Sequence, residues 1–293
     1  MVLCRAIVRD VYDRERSASA LATIMMVMSL APSLSPAIGA YLSQWVGWRA
    51  DFVLLGTVGV TVLLLTATYL EETHTPAFVN VIGMIRSFVL LLRSAAFLSV
   101  VFATAFTSAS WFTFLAAAPY LLAERLHAPP STYGLMILLP MAGYILGNAG
   151  VVRLSALLGS PRLFILGLAL SLASGVMLAL WCVADLTPWA LFVPMAISSN
   201  GMSQPSGLAA GLSVYPRITG AASGLMGFAQ MAIAALGTLL LGLLPRGSLL
   251  AMVAVVGTCL ALALGCGLLT LFAPAHGQSS APAVRLRQIA KKP

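Results

Sequence analysis

TGAASGLMGFAQMAIAALGTLLLGLLPRGSLLAMVAVVGTCLALALGCGLLTLF, residues 219–272, contains a single charged side chain, Arg246. Two apolar runs, 219–244 and 248–272, flank that arginine and its neighbours Pro245 and Gly247. Each run exceeds the roughly 20 residues that an α-helix needs to cross the hydrocarbon core of a bilayer. Lipid offers no partner for backbone N–H and C=O groups, so a spanning segment must satisfy its own, as a helix does. The stretch therefore reads as two membrane-crossing helices joined by a short polar turn.

The same pattern recurs toward the N-terminus. Spans are expected at 188–210, 162–184, 132–152, 95–123, Trp48–Leu70 and Ser17–Gln44, with a short helical stub at 1–11. That makes eight complete spans plus a stub: an all-α membrane protein. Composition agrees, with 60% hydrophobic residues, 8% charged residues and a mean hydropathy of +0.99 over 293 residues. A soluble domain carries roughly 25% charged residues. The linker 71–93 opens on Glu71-Glu72-Thr73-His74 and then places Phe78, Val81, Ile82, Ile85, Phe88 and Val89 at helical spacing beside Arg86 and Arg93. An amphipathic helix on the membrane surface is expected there. The tail 273–293 is polar and basic.

The net charge of +8 does not point to nucleic acid, because the basic residues lie in the gaps between apolar runs. If the eight spans alternate in direction, thirteen Lys and Arg residues fall on one side: Arg5, Arg9, Arg14, Arg16, Arg86, Arg93, Arg153, Arg162, Arg217, Arg285, Arg287, Lys291 and Lys292. The other side receives Arg49, Arg125 and Arg246. The positive-inside rule makes the first side cytoplasmic, which places the C-terminus in the cytoplasm of a multi-pass protein of the cell's inner membrane. Cys4, Cys182, Cys259 and Cys266 form no CxxC pair and read as small core residues. No cofactor or metal ligation is indicated, and no cleavable signal peptide is visible.

The stretch RAIVRDVYDRERSASALATIMMVMSLAPSLSPAIGAYLSQWVGWRADF, residues 5–52, resembles the Bcr/CflA family of the major facilitator superfamily, whose members are proton-driven drug antiporters of twelve helices. RAIVRD resembles the end of that family's fourth helix, and Trp45-Val46-Gly47-Trp48-Arg49 its turn into the sixth. The fifth helix carries an antiporter signature of glycines and prolines, matched here by Pro32, Ser35, Pro36 and Gly39, with Ser or Ala at several family glycines. GMSQPSGLAAGLSVYPRITGAASGLMGFAQ, residues 201–230, is similar to the family's tenth and eleventh helices. The resemblance implies a domain plan: 1–70 as the remnant of an N-terminal six-helix half, 71–93 as the cytoplasmic linker, 94–272 as the complete C-terminal six-helix half, and 273–293 as the tail. Helices one to three, most of helix four and the superfamily's GxxxDRxGRR-type loop are then absent from this chain. A chain with half a cavity is expected not to move drugs by alternating access. The competing expectation is a non-transporting membrane remnant or a membrane-associated interaction protein.

Transport needs a polar-lined cavity near the membrane midplane rather than covalent chemistry. The chain has no HExxH, no GxSxG and no pair of midplane acids, so no enzyme is indicated. Its eight acids lie at span ends or in loops; Asp51, three residues into its span, reads as an interfacial partner of Arg49. A proton-coupling residue is not evident, and the resemblance implies that coupling acids often sit in the first helix. Buried amides are costly unless bonded. Asn148, Asn200, Gln204 and Gln230 inside spans are therefore candidates for the pathway of a small hydrophobic or amphipathic substrate, with helix-to-helix bonding as the alternative role. Trp111 and Tyr144 are candidates for aromatic walls, along with Phe112 and Tyr120. Gly143 with Gly147, and Gly220 with Ser223, Gly224 and Gly227, form small-residue stripes expected to pack against neighbouring helices.

Overall fold

The longest helix begins at Ser94, whose hydroxyl accepts the Phe97 N–H at 3.3 Å and so satisfies one of the donors that open a helix. This computed structural model describes residues 35, 38–39, 41–69, 81–197, 201–215, 218–245 and 248–272. In chain order its helices are α1 (Arg49–Tyr69), α2 (Val81–Leu92), α3 (Ala95–Tyr120), α4 (Pro130–Met136), α5 (Leu138–Leu158), α6 (Ser160–Ala184), α7 (Pro188–Ile197), α8 (Ser203–Val214), α9 (Thr219–Leu243) and α10 (Leu249–Phe272). No strand occurs among the described residues. Among the described residues, six helical stretches are long and apolar enough to cross a membrane: Arg49–Thr68, Ala95–Arg125, Pro130–Val151, Pro161–Ala184, Thr219–Leu243 and Leu249–Thr270.

These agree with the expected spans to within a few residues, and α2 lies within the segment 71–93. The stub at 1–11, most of the span Ser17–Gln44, the first part of the linker and the tail 273–293 lie outside the described residues. The expected single span at 188–210 is built differently. It comprises α7 and α8, with Gly201 and Met202 in a turn between them. Local chemistry sets the other boundaries. Gly159, at φ +74°, makes the tight corner between α5 and α6, a conformation that a side chain disfavours. Thr187 and Ser248 hydroxyls accept the N–H groups of Ala190 and Ala251, each at 3.2 Å, at the starts of α7 and α10. Pro119 near the end of α3 has no N–H to donate, and the helix widens into a π-turn at Leu121–Arg125.

α3 is the hub, packing most extensively against α9 and α10 and also against α8. The core separates into clusters at opposite ends of the bundle. One gathers Phe114 and Leu121 from the end of α3, Leu178 and Cys182 from the end of α6, Phe192 from α7 and Met252 from the start of α10. Another gathers Phe97 and Val101 from the start of α3, Phe164 and Leu168 from the start of α6, Ala222 and Met226 from the start of α9 and Ala263 from the end of α10. Successive long segments thus run in opposite directions, as alternating spans require. α1 differs from the rest, since none of its apolar window is buried, against 67% for α3 with its π-turn.

Candidate functional site

Midway between the two core clusters the packing opens. Ser108 lies 13 residues into α3, about 20 Å from its start at 1.5 Å per residue, and Gln230 sits near the middle of α9. Gln204 stands in the first turn of α8, just after the break in the helix. Its Nε2 donates to the Thr104 carbonyl at 3.0 Å and to the Ser108 hydroxyl at 2.8 Å. Gln230 Nε2 in turn donates to Gln204 Oε1 at 3.2 Å. Three helices, α3, α8 and α9, are therefore tied by one chain of amide hydrogen bonds at mid-depth. Beside the chain lies a cavity of about 230 Å³. Trp111, Phe112 and Tyr144 form its aromatic wall, Pro140 and Met231 complete the apolar lining, and Ser108, Gln204 and Gln230 supply the polar face. Among the described residues, no Asp, Glu, Lys, Arg or His lines it.

The break in the helix is what brings Gln204 to this depth. Backbone there approaches backbone: a Cβ on Gly143 would collide with the Ala196 carbonyl, and one on Gly201 with the Tyr144 carbonyl. A Cβ on Gly167 would come within 2.8 Å of the Ser203 nitrogen. Irregular backbone at membrane depth is tolerated where protein buries it, and Gly201 is buried between α5 and α6.

Comparison with known proteins gives the same class. The family model described as Major Facilitator Superfamily matches residues 1–101. A bicyclomycin resistance protein homolog of Haemophilus influenzae is 26% identical over 243 residues, 80% of this chain and 61% of that protein. Over residues 1–101 the chain is similar to the major facilitator superfamily. A chloramphenicol resistance protein of Pseudomonas aeruginosa is similar at 25% identity over 259 residues, covering 83% of this chain and 59% of the relative. The multidrug resistance protein MdtL of Klebsiella pneumoniae is 27% identical over 234 residues, 78% of this chain and 58% of its own. The chain spans about three-fifths of the length of the curated relatives it matches.

The structure brings together Trp111, Tyr144, Gln204 and Gln230 of the residues singled out in the sequence. Asn148 does not join them; its Nδ2 donates to the Tyr144 carbonyl one turn back at 2.8 Å, a bond within its own helix. Asn200, Pro32 and Pro36 lie outside the described residues. Tyr120 lines a separate cavity of about 250 Å³ at the far end of α3, with Thr238 and Ser248. Ser35 is exposed, and a Cβ on Gly39 would meet nothing nearer than Asp51 Oδ1 at 3.9 Å. Arg49 lies over the Trp48 ring, 4.5 Å from its centroid, rather than pairing with Asp51, whose Oδ1 has no hydrogen-bond partner among the described residues.

The two glycine stripes part company. Gly143 and Gly147 pack against α7 and the turn after it, as expected, whereas Gly220, Gly224 and Gly227 face open space within 4 Å. Sequence reading missed Ser108 and the Thr104 carbonyl, which anchor the amide chain. Thr104, Ser108 and Trp111, spaced i, i+4 and i+7 on one face of the helix, were the available signal.

Proposed function

We propose that this chain is part of a multidrug efflux transporter of the Bcr/CflA type, exporting small hydrophobic or amphipathic compounds by proton antiport across the cytoplasmic membrane. The observation that carries the reading is the mid-depth cavity bounded by Trp111, Tyr144, Gln204 and Gln230, which combines aromatic walls with bonded amides and has no charged side chain among its described lining residues. Polar groups this far into a bundle are costly in lipid and are kept where a polar pathway needs them. The relatives named for resistance to bicyclomycin and chloramphenicol support the reading of the transported class.

In this proposal the helix bearing Pro32, Ser35, Pro36 and Gly39 bends to seal the resting interface between the two halves of the transporter. The excess of basic residues at the 93, 153, 162 and 217 ends of the bundle supports a cytoplasmic placement of those ends, and of the C-terminal tail with them. Among the described residues no carboxylate or imidazole lines the cavity, and in this proposal the proton is carried by another group of the transporter.

The test is chloramphenicol accumulation in cells stripped of their own efflux pumps and expressing the reading frame together with its in-frame upstream sequence. Accumulation is expected to fall and to recover when the proton gradient is dissipated. Accumulation equal to that of the empty vector would overturn the proposal in favour of a non-transporting membrane protein.

A further inference from the structure

The amide chain beside the cavity has a fixed sense. The Thr104 carbonyl can only accept, so the end of Gln204 facing it is the nitrogen, and Oε1 points to Gln230. Gln230 must then present its own nitrogen to that oxygen. Gln204 is spent by this arrangement, with both N–H groups donated and Oε1 engaged. Gln230 is not. Its Oε1 and its second N–H make no hydrogen bond within the protein among the described residues, and Gln230 lines the cavity. One planar carboxamide thus offers an acceptor and a donor together, with the Ser108 hydroxyl hydrogen close by.

The surroundings narrow the ligand further. Trp111, Phe112 and Met231 suit an apolar ring. With no ionisable side chain among the described residues of the lining, a charged ligand would lose its hydration without gaining a counter-charge from them. Past the C-terminal end of α3 the nearest acid in sequence is Glu124, in the π-turn, 16 residues and about 24 Å beyond Ser108.

We infer that Gln230 is the recognition element of this cavity. It selects uncharged ligands that carry an amide, lactam or imide on an apolar ring, and Gln204 is a positioning residue that holds it in register. This rests on the reading of the cavity as a substrate site. A neutral amide satisfies both open valences of Gln230. A carboxylate offers no donor and an ammonium offers no acceptor, and a site built for both groups discriminates strongly against a ligand that leaves one unpaired.

The experiment measures dissociation constants of three isosteric probes, benzamide, benzoate and benzylammonium, by ligand-observed NMR titration. It uses the 293-residue chain in lipid nanodiscs, with empty nanodiscs subtracted. Benzamide is expected to bind at least about tenfold more tightly than either charged probe, a difference that two neutral hydrogen bonds supply. Gln230→Leu is expected to weaken benzamide about tenfold and to leave the charged probes unchanged. Because the ranking on the unmodified chain decides by itself, a variant that does not insert takes nothing away. Equal affinity for the three probes, or benzamide binding that Gln230→Leu does not alter, overturns the inference while leaving the cavity a ligand site. Absence of binding by all three overturns the cavity reading and the inference together.

Discussion

Gln204 does structural and positional work at once. Its side chain is half-buried at mid-depth, bonded across to α3 through the Thr104 carbonyl and Ser108 and onward to Gln230 on α9. Interhelical hydrogen bonds in membranes average about 0.6 kcal/mol, because the unfolded chain in lipid also finds partners. Gln204→Leu removes all of its bonds and leaves the Gln230 nitrogen without its acceptor, so a loss of about 1–2 kcal/mol is expected, read as a lower unfolding midpoint in a denaturing-detergent titration. Gln204→Glu is expected to cost more, since a carboxylate oxygen would face the Thr104 carbonyl with no proton between them. The candidate amides could be picked out of the sequence because an amide within an apolar run is conspicuous. Which of them converge could not be, because Asn148 and Gln230 look alike in sequence. Asn148 bonds back within its own helix to Tyr144, whereas Gln230 reaches across to Gln204.

The divided segment α7–α8 gives the site its shape. A continuous helix through 188–210 would carry its carbonyls past α5 at ordinary helix-packing distance. Here Ala196 and Gly201 instead press their backbones on Gly143 and Tyr144. Gly143→Ala is expected to destabilise the fold by about 1–3 kcal/mol, the usual cost of forcing an atom into a packed interior. Gly224→Ala, on the open stripe of α9 where nothing lies within 4 Å, is expected to be neutral or stabilising by up to about 1 kcal/mol through helix propensity alone. Thermal unfolding of the two variants in one detergent separates them; a Gly143→Ala protein as stable as Gly224→Ala would mean that α5 and α7 do not meet this closely. Hydropathy reads such elements well where the segment is a single rod, as at Ala95–Arg125 and Leu249–Thr270. It does not register the break, because Pro188–Ile197 is apolar and Ser203–Val214 carries no charge, and the backbone contacts that accommodate it come from glycines more than 30 residues away, at Gly143 and Gly167.

At the scale of the molecule, two independent features agree. The core clusters place the ends of α3 and α6 beside the starts of α7 and α10, and the starts of α3, α6 and α9 beside the end of α10. That antiparallel order comes from packing alone and uses no charge. The distribution of Arg and Lys uses charge alone, and it assigns Arg93, Arg153 and Arg162 to one end and Arg125 to the other. If packing order and charge bias describe one topology, residues near 127 and near 160 must lie on opposite membrane faces. In a background with the four native cysteines replaced, His127→Cys in intact cells is expected to react with a membrane-impermeant maleimide, since it sits in the connection between the π-turn and α4. Ser160→Cys, at the Gly159 corner, is expected to react only after the membrane is opened. The inverse pattern would reverse the orientation and leave the fold intact. Labelling of both sites from outside would break the alternation itself, and with it the assignment of Gln204 and Gln230 to the middle of the bilayer.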